Sequence, residues 1–336
     1  MRIILSRTDS IGDVVLTLPM AGVLKQSFPG CTILFLGRNY TRPVIEACEH
    51  IDQFYSWDVI SGLRDQKARI SFFSDLHADV IIHVFPVREI CMLAKQAGIP
   101  KRIATSRRFF TMFSCNRLLY IPRKNSSLHE SQLNLRMLKG VGINREFSLD
   151  DIPGLYGLTG VKEDQTLVTH HASRVTDKFT LLLHPKSKGS AREWGLDNYS
   201  TLIGLLPPEK FNILITGTKD EGAQMQPFLQ KHQGRIKDMT GKLTLTQLMA
   251  LIKSSGAMVA ASTGPLHLAA ALGIRAIGLY APMRPIFPQR WAPLGKNATF
   301  LVLDKTCNKC RKTLDCTCIR AITPEAVAEK LLDLLK

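Results

Sequence analysis

The chain has 336 residues, of which 45% are apolar, so it is long enough for two α/β domains that each bury a hydrophobic core. Lysine and arginine outnumber aspartate and glutamate by 44 to 28, and the resulting net charge of +16 indicates an anionic partner: nucleic acid, an acidic membrane surface or a phosphorylated substrate. The first ten residues contain too short an apolar run for a signal peptide, and no stretch approaches the roughly 20 apolar residues that cross a bilayer, so we expect a cytoplasmic protein.

The first half of the chain alternates strands with helices. Short apolar runs predict strands at residues 2–6, 32–36 and 79–84. Apolar residues at helical spacing predict helices at 13–28 and 129–140, with another helical segment that ends at residue 97. Such alternation is typical of a parallel sheet covered on both faces.

A polar stretch at residues 150–178 interrupts this pattern, and we place a domain boundary there, with domains at residues 1–170 and 171–336. The alternation then restarts, with predicted strands at 179–184, 211–216, 257–261 and 275–280 and predicted helices at 198–206, 220–231, 245–254, 265–272 and 324–335. We therefore predict an α/β fold of two Rossmann-like, doubly wound parallel-sheet domains, with a ligand cleft between the carboxyl ends of the two sheets.

The turn after the first strand reads Arg7-Thr-Asp-Ser-Ile-Gly-Asp13. It matches neither the P-loop nor the dinucleotide-binding fingerprint. Ser10 and Gly12 form the loop, and Asp13 lies on the first turn of the predicted helix. Asp13 either caps this helix or acts in catalysis, and the spacing does not choose between the two roles. Asp9 is interpreted as a turn residue.

The loop after the first strand of the second half contains Lys186, Lys188 and Arg192 beside small residues. Lysine as a point charge and arginine as a bidentate donor suit a phosphate site. A solvated basic loop is the alternative interpretation.

An apolar strand later ends in Ser262-Thr263-Gly264, and Pro265 then begins an alanine-rich helix. The free amides at such a helix end form an anion site that suits a diphosphate, and His267 in the first turn either donates to a phosphate oxygen or packs in the core. Another loop, Thr240-Gly241-Lys242, either faces the donor sugar and nucleotide or forms an ordinary turn.

Four of the eight cysteines are close together, at Cys307, Cys310, Cys316 and Cys318. Four thiolates within twelve residues can surround a structural zinc ion, but the spacing is tighter than that of a zinc ribbon. Disulfide or redox chemistry and plain thiols remain the alternatives.

Together these motifs resemble glycosyltransferase family 9, the ADP-heptose:lipopolysaccharide heptosyltransferases. The resemblance covers nearly the whole chain and is carried by the order and spacing of several short motifs: Arg2-Ile-Ile-Leu, Gly12-Asp13-Val14, His129-Glu130, Asn134-Leu135, His184-Pro185, Arg192, Trp194, Thr240-Gly241-Lys242, Ser262-Thr-Gly-Pro-Leu-His267 and Arg290-Trp291-Ala-Pro293.

This resemblance implies the GT-B fold and an inverting, metal-independent transfer of a sugar from a nucleotide sugar, ADP-heptose, to the lipopolysaccharide core or a related glycan. It implies that Asp13 is the general base and that Arg192 and the turn Thr263-Gly264 hold the diphosphate, with the nucleotide sugar as substrate and no separate cofactor. Ser262 stands where many heptosyltransferases have aspartate, which leaves another nucleotide sugar as an alternative donor.

The positive charge then has a use in binding an acidic glycolipid acceptor at the inner membrane face, with peripheral membrane association. The cations that we assign to this acceptor lie in the first domain: Lys101, Arg102, Arg107, Arg108, Arg117, Arg123 and Lys124. A solvated basic loop is again the alternative. A nucleic-acid-binding protein is a different class of function, but only 7% of the residues are aromatic and no recognition motif is present, so we expect no nucleic-acid partner. A nucleotide-sugar epimerase of similar fold needs no acceptor, and a basic first domain would then have no role.

Overall fold

The computed structural model describes residues 1–123, 126–162, 178–189, 191–284, 286–305, 307, 309–311, 313 and 315–335. Contacts between Cα atoms divide the chain into two compact units, Met1–Gly160 and Val161–Lys336. The boundary predicted between residues 170 and 171 lies outside the described residues. In the part of the chain that is described, none of the helices combines the length and the apolar character needed to cross a bilayer.

Unit 1 (Met1–Gly160) is built on six parallel strands: β1 (Arg2–Ser6), β2 (Thr32–Gly37), β3 (Gln53–Ser56), β4 (Val80–His83), β5 (Lys101–Thr105) and β6 (Arg117–Leu119). They pair in the order β3-β2-β1-β4-β5-β6. In the register of the central strand, Ile3 lies beside both Ile33 and Val80. β4 is buried along its whole length because helices cover both faces of the sheet.

The helices of unit 1 are α1 (Ile11–Val15), α2 (Leu18–Ser27), α3 (Arg42–Glu46), α4 (Trp57–Gly62), α5 (Gln66–Asp75), α6 (Arg88–Gln96), α7 (Thr111–Ser114) and α8 (Glu130–Leu135), with 3₁₀ turns at Asn39–Thr41, Arg136–Val141 and Pro153–Leu155. The helix predicted at 129–140 therefore changes to 3₁₀ geometry after Leu135.

The single helix predicted at 13–28 is wrong, because α1 and α2 are separated at Leu16 and Thr17. Pro19 has no N–H to donate to Val15, so the ladder of helical hydrogen bonds is interrupted there. The carbonyl of Leu16 instead accepts a hydrogen bond from Asn134 Nδ2 at 2.9 Å.

Unit 2 (Val161–Lys336) contains a second sheet of six parallel strands: β7 (Phe179–His184), β8 (Phe211–Ile215), β9 (Ile236–Asp238), β10 (Ala257–Ala261), β11 (Arg275–Tyr280) and β12 (Ala298–Val302). They pair in the order β12-β11-β10-β7-β8-β9. The helices are α9 (Leu196–Leu205), α10 (Lys219–Gln224), α11 (Gln226–Lys231), α12 (Leu245–Lys253), α13 (Gly264–Ala271), α14 (Pro288–Trp291), α15 (Thr317–Arg320) and α16 (Pro324–Leu332), with 3₁₀ turns at Lys309–Arg311 and Asp333–Leu335.

One predicted helix of unit 2, at 220–231, is again divided at a proline, since Pro227 follows the break between α10 and α11. The start of the last helix is as predicted. The Thr323 hydroxyl accepts from the Ala326 amide, and Pro324 occupies the first helical position.

The two sheets have the same topology, because each follows the doubly wound order 3-2-1-4-5-6 when its strands are numbered within the unit. The predicted α/β class with two Rossmann-like parallel sheets is confirmed. In such folds ligands bind beyond the carboxyl ends of the strands, and the loops that follow β1, β7 and β10 leave from those ends.

Candidate functional site

A buried arginine lies at the carboxyl end of β1, in unit 1. Arg7 is 2% exposed, and its Nε donates to Asp9 Oδ1 at 2.6 Å. Its Nη2 donates to Asp13 Oδ1. Its Nη1 lies 3.4 Å from Asn134 Oδ1 and 3.6 Å from Glu130 Oε1. One guanidinium therefore holds three carboxylates in fixed positions.

The charges in this network shift the pKa values of two groups. Burial alone would lower the pKa of Arg7, but the carboxylates of Asp9, Asp13 and Glu130 raise it above its ordinary value, so the guanidinium stays charged. Burial raises the pKa of Asp9, and the charge of Arg7 opposes this shift.

The Asp13 carboxylate is the member of this network that the sequence motif singled out. It lies in the first turn of α1, and its side chain is 18% exposed. Its Oδ1 accepts from Arg7 and its Oδ2 accepts from the Ser10 hydroxyl. Within the described residues its hydrogen-bond partners are these side chains rather than backbone amides of α1. Gly12, one residue earlier, is buried in the same turn.

A second layer of polar groups supports Arg7 from α8. Arg123 donates to Glu130 Oε1, to Asn134 Oδ1 at 3.0 Å and to the Val84 carbonyl at 3.2 Å. Glu130 is only 2% exposed. The sequence motif around Glu130 and Asn134 therefore has a structural meaning that its spacing did not reveal, because its partner Arg7 is more than one hundred residues away in the chain.

The basic residues of unit 1 do not form the single group that was predicted. Lys101, Arg102 and Arg117 begin β5 and β6, at the amino ends of the strands. Arg102 donates to the Ile99 and Ser114 carbonyls, and Lys101 and Arg117 line a shallow cavity of about 530 Å³. The prediction of one acceptor-binding cluster is thus wrong for these three cations. Lys124 lies outside the described residues.

Other cations follow the carboxyl ends of the strands, where Asp13 also lies. Arg107 and Arg108 come directly after β5. The Arg108 guanidinium stacks 4.5 Å above the Phe85 ring, and Arg7 lies 5.7 Å from the centre of the same ring. Of the predicted acceptor-side cations, Arg123 is thus part of the Arg7 network through Glu130 and Asn134, and Arg108 is linked to it through the Phe85 ring.

In unit 2, helix α13 begins directly after β10. Its N-cap is Thr263, which is 5% exposed, and its first residues are Gly264 and Pro265. The Thr263 hydroxyl oxygen is buried and has no hydrogen-bond partner among the described residues. Leaving a buried hydroxyl without a hydrogen bond costs about 1–3 kcal/mol. A ligand atom that forms a hydrogen bond with this hydroxyl would recover that free energy.

Two neighbours flank this helix start. His267 is 3% exposed, and its backbone amide donates to the Thr263 carbonyl at 3.3 Å. Ser262 is half-buried. Burial raises the pKa of Tyr280, and a hydrogen bond with Ser262 partly offsets this shift.

The basic loop after β7 contains three cations, of which one is paired with a carboxylate, one is exposed and one is half-buried. Lys186 Nζ donates to Glu193 Oε2 at 2.6 Å, so the charge of Lys186 is neutralised within the loop. Lys188 is exposed, and its φ of 47° lies in the left-handed region that side chains rarely adopt. Arg192 is half-buried, and its Nε donates to the Cys310 carbonyl at 2.9 Å. Because Glu193 pairs with Lys186, Lys188 and Arg192 are the cations of this loop that are available to a ligand. The sequence alone did not indicate this pairing.

The loop after β9 forms a hydrogen-bonded turn. Thr240 donates through its amide and its hydroxyl to Asp238 Oδ1, at 2.9 and 2.7 Å. Lys242 Nζ donates to the Asp238 carbonyl, and the Gly241 amide donates to the Gly217 carbonyl. Gly241 has a φ of 67°, and a Cβ there would lie 2.8 Å from Lys219 Cα, so this position requires glycine. These contacts explain the motif as a turn and leave its role toward a donor untested.

A family model for glycosyltransferase family 9 (heptosyltransferase) matches residues 136–318, more than half of the chain. A putative glycosyltransferase of Haemophilus influenzae is 24% identical over 300 residues, which cover 87% of this chain and 86% of that protein. The lipooligosaccharide heptosyltransferase 2 of the same species is 23% identical over 368 residues, covering 100% and 99%. The solved structure of the E. coli ADP-heptose LPS heptosyltransferase II has a TM-score of 0.79 and 19% identity, covering 100% of this chain and 98% of that chain. This last likeness concerns the fold, and it confirms the predicted GT-B class.

Proposed function

Because the chain belongs to glycosyltransferase family 9, the heptosyltransferase family, we propose that it transfers heptose from ADP-heptose to a sugar of the lipopolysaccharide core. We further propose that the transfer inverts the anomeric carbon and needs no metal ion. The names of two similar proteins support the substrates, since one is a lipooligosaccharide heptosyltransferase and the other is an ADP-heptose LPS heptosyltransferase.

The observation that carries the donor half is the buried hydroxyl of Thr263 at the start of α13. The first amides of an α-helix have no partner within the helix, and the helix dipole favours negative charge at this end. A diphosphate oxygen at this position would accept from the Thr263 hydroxyl and from the Gly264 amide. Gly264 has no side chain to obstruct the approach, and Pro265 needs no hydrogen bond at its nitrogen.

Asp13 is the general base of the proposed reaction. Its carboxylate is partly exposed, while the counter-charge of Arg7 is fixed in the interior. The acceptor hydroxyl oxygen forms a bond to the anomeric carbon as Asp13 takes its proton. The bond between that carbon and the diphosphate oxygen breaks, and its electron pair leaves with ADP. A positioned base of this kind accelerates a reaction typically about 10²–10⁴-fold.

The departing diphosphate needs cations or preorganised donors, because charge develops on its bridging oxygen. Lys188, Arg192 and His267 supply these in the proposed reaction, together with the start of α13. Each such donor contributes about 3 kcal/mol in a site that excludes water. The sequence contains no D-x-D motif to hold a divalent ion on the diphosphate, which agrees with this assignment.

The acceptor carries acidic groups in this proposal, and Arg108 binds them. Its guanidinium is held by the Phe85 ring near the Arg7 network, and it has no carboxylate partner among the residues described. Arginine binds phosphate and carboxylate groups in a bidentate manner, which suits a charged glycan core.

The lipid-linked acceptor also places the enzyme at a membrane surface. Three large apolar side chains of unit 1, which we call the apolar patch, are strongly exposed: Phe109 at 77%, Met112 at 57% and Phe113 at 60%. The ring centroids of Phe109 and Phe113 are 5.0 Å apart, Lys95 Nζ donates to the Phe113 carbonyl at 2.9 Å, and Arg107 precedes Phe109 by two residues in the chain. Exposed aromatic residues beside cations are typical of proteins that dock on anionic lipid. We therefore propose peripheral attachment to the inner membrane through this patch.

The test combines candidate nucleotide sugars with a truncated core acceptor and detects the product by mass spectrometry. ADP-heptose is compared with other nucleotide sugars, because Ser262 in place of the aspartate common in this family bears on the donor. Asp13→Asn keeps one oxygen that can accept from Arg7 and places an NH2 group that can donate to the Ser10 oxygen, but it removes the base, so transfer should fall about 10²–10⁴-fold with unchanged binding of ADP.

Asp9→Asn is the matched control, since Asp9 also contacts Arg7 but is not the proposed base. It should retain transfer. Normal transfer by Asp13→Asn, or an equal loss in both variants, would remove Asp13 from the role of base. Transfer from a different nucleotide sugar alone would correct the donor.

A further inference from the structure

The four late cysteines converge in space as well as in sequence. The sulfur atoms of Cys307, Cys310 and Cys318 all lie within 4.8 Å of one another. Cys316 Sγ lies 2.9 Å from Cys310 Sγ. Cys310, Cys316 and Cys318 are buried at the edge of the core of unit 2, and Cys307 is half-exposed. Three thiols therefore lie close together, the fourth is in contact with one of them, and the group is accessible to solvent at Cys307.

The distances suit a tetrahedral metal site. Four sulfurs about 2.3 Å from one zinc ion lie roughly 3.8 Å from each other. The Cys310–Cys316 separation of 2.9 Å is shorter than that value, and the sulfurs of Cys307, Cys310 and Cys318 lie within 4.8 Å of one another. Coordination of one ion by both Cys310 and Cys316 requires their sulfurs to move apart by about one ångström, and the half-exposed Cys307 offers a path of entry.

A second group of ligand-type side chains lies in unit 1, where His83, Cys91 and Cys115 approach one another. This group offers three ligands, and all three are buried. Closed structural sites of thiophilic metals have four ligands, often with the C-x₂-C spacing that Cys307 and Cys310 provide. The late cysteines are therefore the stronger metal site.

We propose that Cys307, Cys310, Cys316 and Cys318 bind one thiophilic transition-metal ion, zinc or iron, as a structural tetrathiolate site. The elements around this site are a 3₁₀ turn at Lys309–Arg311 and the four-residue helix α15, and segments this short do not hold their conformation by themselves. The ion fixes them as a crosslink.

The site also touches the loop that carries the proposed diphosphate ligand. Arg192 Nε donates to the carbonyl of Cys310 at 2.9 Å, and Trp194 Nε1 donates to the Ile322 carbonyl at 2.8 Å. Asn198 Nδ2 donates to the Arg320 carbonyl at 2.8 Å. The metal site thus positions Arg192 for the nucleotide-sugar donor. This role of Arg192 rests on the proposed function, but the metal site itself does not depend on that function. The ion takes no part in bond breaking.

The first measurement is the metal content of the full chain, purified under reducing conditions, by inductively coupled plasma mass spectrometry. One equivalent of zinc or iron per chain is expected. After removal of the native ion, titration with Co²⁺ alone should give the absorption bands of tetrahedral thiolate coordination. Cys316→Ser should lose the metal, and Cys115→Ser, the control from the three-ligand group, should keep it.

A second measurement covers the case in which Cys316→Ser does not fold. Chelation of the wild-type protein should lower its melting temperature, and added zinc should restore it. A natively folded wild type without metal, a Cys310–Cys316 disulfide found by peptide mass spectrometry, or loss of metal in Cys115→Ser would overturn the proposal.

The link to Arg192 is tested by the affinity for ADP. Chelation should weaken ADP binding about tenfold in the wild type, the size of one charge-assisted contact. It should have no further effect in Arg192→Ala, which already lacks the guanidinium. If the wild type contains one metal ion but does not bind ADP, the proposal of ADP-heptose as the donor is wrong and the proposal of the metal site is still supported.

Discussion

The guanidinium of Arg7 and the carboxylate of Asp13 form an ion pair in which the cation is 2% exposed and the anion is 18% exposed. The partner of Asp13 is thus fixed in the interior, while the carboxylate itself remains accessible to a substrate. Asp9 and Glu130 share the same guanidinium. The proposed base is therefore held by a network of ion pairs, and we expect removal of Arg7 to affect folding as well as transfer.

Replacement of Arg7 by methionine should destabilise the protein strongly, because three carboxylates lose their common buried cation. Breaking a buried ion pair from one side costs about 3–5 kcal/mol. Unfolding in urea measures the change. Arg42→Met is the control, since Arg42 pairs with Glu46 on the surface with both side chains about half exposed, and such pairs contribute about 0–1 kcal/mol. Equal losses in the two variants would show that the Arg7 network does not hold the fold of unit 1.

Thr263→Val should separate ligand binding from stability. The substitution keeps the shape of the side chain and removes a buried hydroxyl that has no described partner, so we expect no loss in the free energy of unfolding. ADP affinity should fall about tenfold or more if the hydroxyl donates to a diphosphate.

The control for this substitution is Thr244→Val, at the N-cap of α12. The Thr244 hydroxyl accepts from the Gln247 amide, so its removal should destabilise the protein by about 1 kcal/mol. Its ADP affinity should equal that of the wild type. The assignment of the diphosphate to α13 would be rejected by unchanged ADP binding in Thr263→Val.

Lys188 and His77 are the residues other than glycine with a positive φ in the described parts of the chain, at 47° and 46°. In the left-handed backbone conformation, a residue with a side chain has a higher conformational free energy than glycine has. Lys188→Gly and His77→Gly should therefore each stabilise the protein by roughly 0.5–1 kcal/mol. Only Lys188→Gly should weaken ADP binding, about tenfold, because only Lys188 is a proposed phosphate ligand.

Thermal unfolding and ADP titration of both glycine variants give the comparison. Strained backbone is often retained where function requires a particular side chain. Identical ADP affinities in the two variants would mean that Lys188 is a solvated loop residue, which was the other interpretation of its sequence.

The fold was predictable from sequence where burial is greatest. The strands β1, β7 and β10 lie at or next to the centres of their sheets, and their nearly continuous apolar runs gave correct boundaries. The strands β3, β6, β9 and β12 were missed because they are short or lie at the sheet edges, where one side has no neighbour to select apolar residues. β5 was missed for another reason, since its first two residues are Lys101 and Arg102.

The candidate site was predictable where a loop carries its own signal. Asp13 and Thr263 each follow a strand and begin a helix, and both were named from that pattern. The burial of Arg7 was not predictable, because it depends on Glu130 and Asn134, which are distant in sequence. Likewise, the spacing of the late cysteines left the metal open, and only the distances between their sulfurs favour it.

The apolar patch gives the last prediction. Phe109→Ser, Met112→Ser and Phe113→Ser, combined in one variant, should abolish sedimentation of the protein with vesicles that contain phosphatidylglycerol. Each large apolar side chain buried in lipid contributes about 1.5–3 kcal/mol, and each cation near an anionic surface adds about 1 kcal/mol. Wild-type binding should therefore fall with rising salt, as the contributions of Arg107 and Lys95 are screened, and it should be weak on phosphatidylcholine alone.

A matched variant, Val59→Ser with Leu149→Ser, removes exposed apolar side chains of the same unit outside the patch, at 62% and 43% exposure. It should bind vesicles as the wild type does, and both variants should transfer sugar normally to a water-soluble, delipidated acceptor. The patch variant should lose activity only on an acceptor that is embedded in vesicles, because only the contact with lipid has been removed. Equal sedimentation of the two variants would assign the exposed rings of Phe109 and Phe113 to something other than a lipid surface.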